Sequence, residues 1–406
     1  MKKVMVMGVG AQGSTIAKRL QEEPVVEEII CADYDAKAVK TMEKSLSKAK
    51  GVQVDARSVE EIVKAGEGCE LVVNGLAPDF NVHVLEASLA LKANYQDMAS
   101  GPVKDAGFVE AVERALDYDD KFKKAGKTAL INTGSAPGFA NVVTRDAVEL
   151  LDSCDRIEIM VYDGIWSKRF IPFWWSPETA FGDMAAEPIM YKDGEFVLCE
   201  PFSDPEIVNF YGLGCRRMVN HEHEEPVTMG LMSKKVLKGT NYVNFKYGGP
   251  AVELAEGFYK MGLLSSEAVE VGGVEVVPMD LISKLTPPAP KYKEEIEEVL
   301  KEGLELEEGA FLVRLDGERE GNKVRIDNYA NVPGLEDSFK KSGITHEAYF
   351  TGQAAFLFTK LFVNGKITQS GTYPPEVLEA AERSYYLSEA AKLDITVDRF
   401  TSMRLY

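Results

Sequence analysis

Lys3–Met7 (KVMVM) runs directly into Gly8-Val9-Gly10-Ala11-Gln12-Gly13, and this junction decides the fold. The short apolar run reads as a buried strand. Ser14–Gln21 follows with Ile16, Ala17 and Leu20 at helical spacing, and a second apolar run, Glu28–Ala32, ends in Asp33. The order is strand, glycine turn, helix, strand, acid. In such a turn Gly8 permits the tight bend, Gly10 lets the backbone approach a pyrophosphate, and Gly13 lets the helix pack closely on the strand. The helix start at Ala11 and Gln12 offers free N–H groups and a positive dipole end to phosphates. Asp33 stands 20 residues beyond Gly13, where a carboxylate can accept hydrogen bonds from the adenosine ribose hydroxyls. The competing reading is a glycine turn in a parallel sheet with no ligand. Asp33 would repel a 2′-phosphate and no Arg follows in Asp33-Tyr34-Asp35, so NAD is favoured over NADP; Lys37 is the nearby cation that could offset this.

At 406 residues the chain has room for two domains, and 45% apolar with 27% charged residues is the composition of a soluble globular protein. The formal charge is −19 with no Lys/Arg-rich run, so a nucleic-acid partner is not expected. Cys31, Cys69, Cys154, Cys199 and Cys215 are scattered and odd in number. That pattern fits reduced thiols in a cytoplasm rather than a disulfide framework or a cysteine zinc site. No signal peptide and no apolar run long enough to cross a membrane are read, so neither a membrane partner nor a leader is expected.

Strands and helices alternate through the first part. Helices are expected over 35–48, 59–65, 83–91 and 108–125, and strands over 52–54, 70–74, 94–96 and 128–132. Asn74-Gly75-Leu76-Ala77-Pro78 closes one of these strands. Ligands of a doubly wound sheet lie outside the carboxyl ends of its strands, so this loop is a candidate wall for the nicotinamide. Tyr95 and Asp97 stand at the next strand end on the same side. Tyr95 could orient substrate or the nicotinamide amide, or simply pack against the following helix.

The texture changes at Gly134-Ser135-Ala136-Pro137-Gly138. One more helix, 139–151, precedes a strand-rich stretch, in which Ala310–Asp316 and Lys323–Asn328 flank Gly317-Glu318-Arg319-Glu320-Gly321 as a hairpin loop. Helices 352–362 and 379–391 return toward the first domain. The expected fold is α/β: a Rossmann doubly wound parallel sheet (1–138), a second α+β domain with a mainly antiparallel sheet for substrate and dimerisation (139–340), and C-terminal helices covering the first sheet (341–406).

These motifs, in this order, resemble the saccharopine dehydrogenase-like (saccharopine reductase) family. They are Gly8–Gly13 with Asp33, Val72–Pro78, Asn94-Tyr95-Gln96-Asp97, Gly134–Gly138 with Asn141, Trp175-Ser176-Pro177-Glu178-Thr179, His223-Glu224-Glu225-Pro226-Val227-Thr228, and Thr351–Ala355 with Gly365-Lys366-Ile367 and Pro374-Pro375-Glu376. The resemblance implies a homodimer and hydride transfer between NAD(P) and a C–N bond of an amino acid, opine-like secondary amine or polyamine. It also places Asp55 and Ala56 beside the adenine. One departure is Ala136, where family members often carry Asp, so no role of that carboxylate is carried over.

Oxidising an amine requires a free lone pair to stabilise the developing iminium, so a general base near neutral pKa is expected, and His suits it. Four His are present. His83 starts a helix near the nicotinamide loop, and His346 lies in a polar stretch. His221 and His223 sit together in Asn220-His221-Glu222-His223-Glu224-Glu225. If that segment is extended, His221, His223 and Glu225 share one face. The cluster reads as catalytic or substrate-binding, as a solvated polar turn, or as a zinc site of His-x-His with a carboxylate; amine chemistry with NAD needs no metal. Trp174 and Trp175 offer faces for a cationic amine, with Glu178 close in sequence as a counter-charge, or else they are ordinary core. Against the enzyme reading stand a catalytically silent dinucleotide-binding protein on the same fold and a dehydrogenase of a hydroxy compound.

Overall fold

The computed structural model describes residues 2–101 and 103–404. Lys2–Met7 is the central strand, with Val4, Met5, Val6 and Met7 wholly buried. A strand covered on both faces has no polar side to show, which is why the run is continuously apolar. It pairs in parallel with Val26–Asp33 on one side and Leu71–Asn74 on the other, so that Met7 lies between Ala32 and Asn74. The full seven-stranded order is Gly371–Tyr373, Thr128–Leu130, Asn94–Asp97, Leu71–Asn74, Lys2–Met7, Val26–Asp33, Ala49–Gln53, parallel throughout. The chain winds outward from Lys2–Met7 in both directions, which makes this a Rossmann-type doubly wound sheet with its switch point beside the glycine turn. The unit that holds it comprises Met1–Asp146, Val227–Met232 and Phe350–Asp394.

Two local expectations are corrected. The helix over 108–125 is two helices, Phe108–Leu116 and Asp119–Ala125. The break at Asp117-Tyr118 starts a new first turn with Asp119 and Asp120 and swings Phe122 into the core, while the Tyr118 hydroxyl donates to Glu86 at 3.1 Å. The helix over 35–48 stops at Ser45, capped at its start by the Asp35 carboxylate, and Ala49–Gln53 is already strand.

The second unit, Ala147–Pro226, Ser233–Tyr349 and Ile395–Tyr406, carries a nine-stranded sheet. Its main path runs Glu195–Leu198, Ile189–Lys192, Tyr242–Gly248, Ser153–Asp163, Gly309–Arg319, Asn322–Asn331, Thr396–Arg404. The pairs along it are antiparallel except Tyr242–Gly248 with Ser153–Asp163. A hairpin, Glu206–Phe210 and Gly214–Asn220, joins through Val219 opposite Tyr247. Met160, Val208, Phe210, Met218, Leu312 and Tyr329 form a core cluster of this unit.

The loop expected at Gly317–Gly321 is mostly strand. Pairing continues to Arg319 opposite Asn322, and only Glu320 and Gly321, both at positive φ, make the turn. Positive φ at both central residues matches the right-handed twist of the flanking strands. The chain end also departs from expectation: Thr396–Arg404 is a strand pairing with Asn322–Asn331 rather than more helix.

Candidate functional site

The glycine turn is built as its spacing requires. Gly8 sits at φ +80°, and a Cβ there would lie 2.7 Å from Leu76 Cδ2. A Cβ on Gly13 would lie 1.9 Å from the Gly8 carbonyl oxygen, so helix Ala11–Leu20 packs on the first strand only because that position is bare. Gly10 is the N-cap, with no atom within 4 Å of where its Cβ would be, no side-chain cap and no acidic residue in the first turn. An uncapped, unopposed helix N-terminus with open space at its glycine fits the pyrophosphate of a dinucleotide. Asp33 ends the second strand. Its Oδ2 accepts from the Val9 N–H at 2.9 Å and its Oδ1 from the Asp35 N–H at 3.0 Å. These bonds fix the carboxylate against the turn while each oxygen keeps acceptor capacity. Asp55 is held by Arg57, whose guanidinium donates to both of its oxygens and draws its carboxyl down to about 2; Ala56 beside it is buried.

At the neighbouring strand ends, Asn74, Tyr95 and Asp97 form one buried network. The Tyr95 hydroxyl donates to Asp97 Oδ2 at 2.9 Å, and Asn74 Nδ2 donates to Asn81 Oδ1 at 2.8 Å and to the Tyr95 hydroxyl at 3.2 Å. Asp97 Oδ1 accepts from the Asn132 N–H at 2.7 Å, and Asn74 Oδ1 accepts from the Leu76 N–H at 3.2 Å. Ala77 then caps the short turn Pro78–Phe80. Burial pushes the Asp97 carboxyl up to about 7, against the pull of Asn132 and Tyr95. Tyr95 is wholly buried with its hydroxyl engaged. The three side chains stiffen the loop that carries Leu76, Ala77 and Pro78.

The second unit carries an acidic and aromatic cluster. His221 and His223 lie in an irregular link after strand Gly214–Asn220, and Glu225 is the first residue of helix Glu225–Val236. The segment is therefore not an extended strand, yet His223 and Glu225 still meet, Nδ1 to Oε2. Glu225 Oε1 is buried with no hydrogen-bond partner among the described residues. The His223 ring stacks flat on Phe245 at 3.9 Å, and the His221 ring lies 5.1 Å from Tyr247. Burial opposes charge on His223, but Glu225, Glu224 and Asp183 outweigh it and raise its pKa above the ordinary 6.5. Burial and then His223 depress His221 to about 3, so it is a neutral imidazole.

Ser176 caps helix Pro177–Ala185, with Pro177 at its first position and Glu178 in its first turn. Glu178 is exposed there. The acid of that helix that acts on His223 is Asp183, which burial raises to about 6. Glu222 is raised to about 7 by burial and by Asp183. Trp174 is buried in a cluster with Ile165, Ile171, Ile296, Val299 and Leu335, and its indole N–H donates to the Ile165 carbonyl at 3.3 Å. Its ring edge meets His346, centroids 5.8 Å apart, and half-buried Trp175 lies 6.4 Å from Tyr247. His346 opens helix His346–Val363, 3.6 Å from Asp163 Oδ2 and 3.8 Å from Glu347 Oε1. Burial raises the Glu347 carboxyl. Asp163, His346 and Glu347 have ligand-type atoms within 4.8 Å of one another.

Asp183, Glu222, Tyr247 and Glu347 were not singled out by the sequence, whereas His346 was one of its four candidate histidines. Glu222 and Glu347 each adjoin a His that the sequence singled out. Asp183 has no local signal, because only the fold carries its helix to the histidines.

The family model for the saccharopine dehydrogenase NADP binding domain matches residues 4–130, and that for the saccharopine dehydrogenase C-terminal domain matches residues 134–392. A carboxynorspermidine synthase of Vibrio cholerae serotype O1 is 25% identical over 402 residues, covering 92% of each chain. A carboxyaminopropylagmatine dehydrogenase of Synechocystis sp. is 23% identical over 384 residues, covering 93% of each. Among solved structures, apo saccharopine dehydrogenase (L-Glu forming) from Saccharomyces cerevisiae superposes with a TM-score of 0.72 at 13% identity, over 99% of this chain and 100% of that one. A homospermidine synthase from Legionella pneumophila in complex with NAD gives 0.68 at 12% identity, over 99% and 91%. At these identities the two structures bear on the fold alone. With both domain models matched in order along one chain, the protein belongs to the saccharopine dehydrogenase family and is an NAD(P)-dependent oxidoreductase.

Proposed function

We propose that this enzyme moves hydride between NAD and the carbon of a C–N bond in an aliphatic diamine or polyamine derivative. The observation that carries the reading is the charge of the second unit's cluster. The strongest charged neighbours of Asp183, Glu222, His223, His346 and Glu347 are carboxylates and histidines. Such a group holds cations, and a buried carboxylate oxygen of Glu225 without a donor is a place for an ammonium proton. The names of the two curated relatives are those of enzymes of carboxylated amines, which supports this reading.

When bound, the nicotinamide would supply the hydride acceptor for oxidation at the amine carbon and, reduced, the donor for the reverse. In the forming direction a free amine attacks a carbonyl, water leaves, and hydride reduces the resulting iminium to a secondary amine. His223 takes the proton that frees the amine lone pair, and Glu225 holds the ring and stabilises its imidazolium. His221 stays neutral and can donate or accept one hydrogen bond. Asp183, Glu222 and Glu347 hold the remaining ammonium groups, while Trp175 and Tyr247 offer aromatic faces worth about 0.5–2 kcal/mol each to a cation. The ammonium role given to Glu178 thus passes to Asp183. Asp33 excludes a 2′-phosphate and selects NAD, and Asn74, Tyr95 and Asp97 hold the loop against the nicotinamide. Asp55 and Ala56 lie on the adenine side.

The test is calorimetric titration of 1,3-diaminopropane into the protein with NAD present. Affinity should rise as pH climbs through about 6 to 7, where Asp183 and Glu222 lose their protons, and Asp183→Asn should weaken it at least tenfold. Equal binding by wild type and Asp183→Asn, or no diamine binding at any pH, would sink the proposal.

A further inference from the structure

Within the second unit, the last residue of strand Ser153–Asp163 meets the first two residues of helix His346–Val363. Asp163 Oδ1 accepts from the Ile165 N–H at 3.1 Å, which fixes the carboxylate and leaves Oδ2 toward His346, 3.6 Å from Nε2. Glu347 Oε1 lies 3.8 Å from the same nitrogen. Both spacings exceed the roughly 3.2 Å reach of an N–H···O hydrogen bond. Both His346 ring nitrogens are buried, and neither has a hydrogen-bond partner among the described residues. An ion pair alone, at these spacings, leaves them unbonded. Buried polar groups are normally bonded, so an imidazole with both nitrogens open points to a ligand. Its ring also packs edge-on against buried Trp174, an apolar wall that keeps water from that side.

We propose that Asp163, His346 and Glu347 bind a divalent first-row metal ion, zinc foremost, and that the bound ion inhibits the enzyme by occupying Glu347. The donors set the class of ion. One imidazole nitrogen with two carboxylate oxygens suits zinc better than magnesium or calcium, which favour oxygen alone. The two carboxylates also balance the charge of the ion. Zinc takes such ligands tetrahedrally at about 2.0–2.2 Å, which sets neighbouring ligand atoms about 3.4 Å apart. The two spacings at His346 Nε2 come within about half an ångström of that, and the third lies within 4.8 Å. The Glu347 side chain is 40% exposed against 13% for each of the other two. It is therefore the ligand free to turn inward and close the third edge, and it gives the ion a way in. The fourth position is left to water. Glu347 is also one of the acids assigned to the ammonium groups of the substrate, so metal and amine compete for it. That inhibitory half rests on the amine reading of the site; the metal site itself does not.

The experiment uses the full chain in a Cys215→Ala background, since an exposed thiol would also take zinc. The protein is freed of metal with a chelator and, with neither cofactor nor amine added, is titrated with zinc by calorimetry and with cobalt(II) by visible absorption. One ion should bind per chain, and cobalt should show the intense visible bands of a tetrahedral site. His346→Ala and Asp163→Asn should each raise the zinc dissociation constant at least tenfold. Both should keep the NADH affinity of the background protein, which the glycine turn of the first unit sets, showing that they fold. His223→Ala lies outside the triad and should keep the zinc affinity. Saturating zinc should raise the apparent Kd of 1,3-diaminopropane at least tenfold in the background protein and not in His346→Ala. A diamine that fails to bind even without zinc would sink the amine reading, and the zinc titration then decides the site by itself. The inference is overturned if no ion binds, if His346→Ala and Asp163→Asn bind zinc as the background protein does, if the loss follows His223→Ala instead, or if saturating zinc leaves diamine binding unchanged.

Discussion

Adding one methyl group at Gly13 separates the two jobs of the glycine turn. In Gly13→Ala the new Cβ would stand 1.9 Å from the Gly8 carbonyl oxygen and 3.3 Å from Val6 Cγ1, where ordinary contact begins at 3.4 Å. The close atom is backbone, so no rotamer relieves it. Helix Ala11–Leu20 must retreat from the first strand by about 1.5 Å, in an interior packed densely enough to feel one methylene. Overpacking of this kind costs about 1–3 kcal/mol of stability. The same retreat carries the helix N-terminus off the pyrophosphate, and a loss of at least about 1.4 kcal/mol is a tenfold rise in Kd. Gly10→Ala is the control. Its Cβ would meet no protein atom within 4 Å and its φ of −66° suits alanine, so the melting temperature should hold while NADH binding falls because the methyl occupies the phosphate's space. Differential scanning calorimetry and NADH titration read the two effects. Wild-type melting and NADH affinity in Gly13→Ala, or normal NADH binding in Gly10→Ala, would show that the turn does not hold the dinucleotide in this way.

Other expectations follow from the same geometry. His223→Ala should lower kcat/KM by about 10²–10⁴-fold, the usual worth of a general base. Because the carboxylates around His223 raise its pKa above 6.5, the acid limb of amine oxidation should lie above that value, and Glu225→Gln should move the limb to lower pH; an unmoved limb excludes His223 as the base. Asp97 holds its proton up to about pH 7 when folded but releases it near 3.8 when unfolded. Its contribution to stability therefore falls as pH rises from about 4 to about 7, by about 4 kcal/mol at most, and urea unfolding of Asp97→Asn should lack that part of the fall. Asp33→Ser should bring the Kd values for NADPH and NADH closer together; an unchanged ratio would show that specificity is set elsewhere.

Much of the first sheet was legible because its cause is local. Continuous apolar runs mark strands buried on both faces, and glycines mark where backbone meets backbone. The break at Asp117-Tyr118 was not legible, because helical periodicity continues across it and only the Tyr118–Glu86 bond and the burial of Phe122 reveal the change of direction. The final strand was hidden for another reason. Its exposed edge position leaves Thr396–Arg404 without an apolar stripe, so its sequence does not look like a buried strand. At the site, proximity in sequence found His221, His223 and Glu225. Asp183 and Glu347 join them only through helices that the tertiary fold delivers, and no spacing rule reaches that far.

The most direct measurement is steady-state oxidation of NADH in the presence of an aliphatic diamine and a short aldehyde or 2-oxo acid, with NADPH and with an amine-free mixture in parallel. NADH consumption should need both the amine and the carbonyl compound, yield a secondary amine by mass spectrometry, and be slower with NADPH. NADH consumption by the carbonyl compound alone, giving a hydroxy product, would contradict hydride transfer at a C–N bond, as would no turnover with any amine despite tight NADH binding.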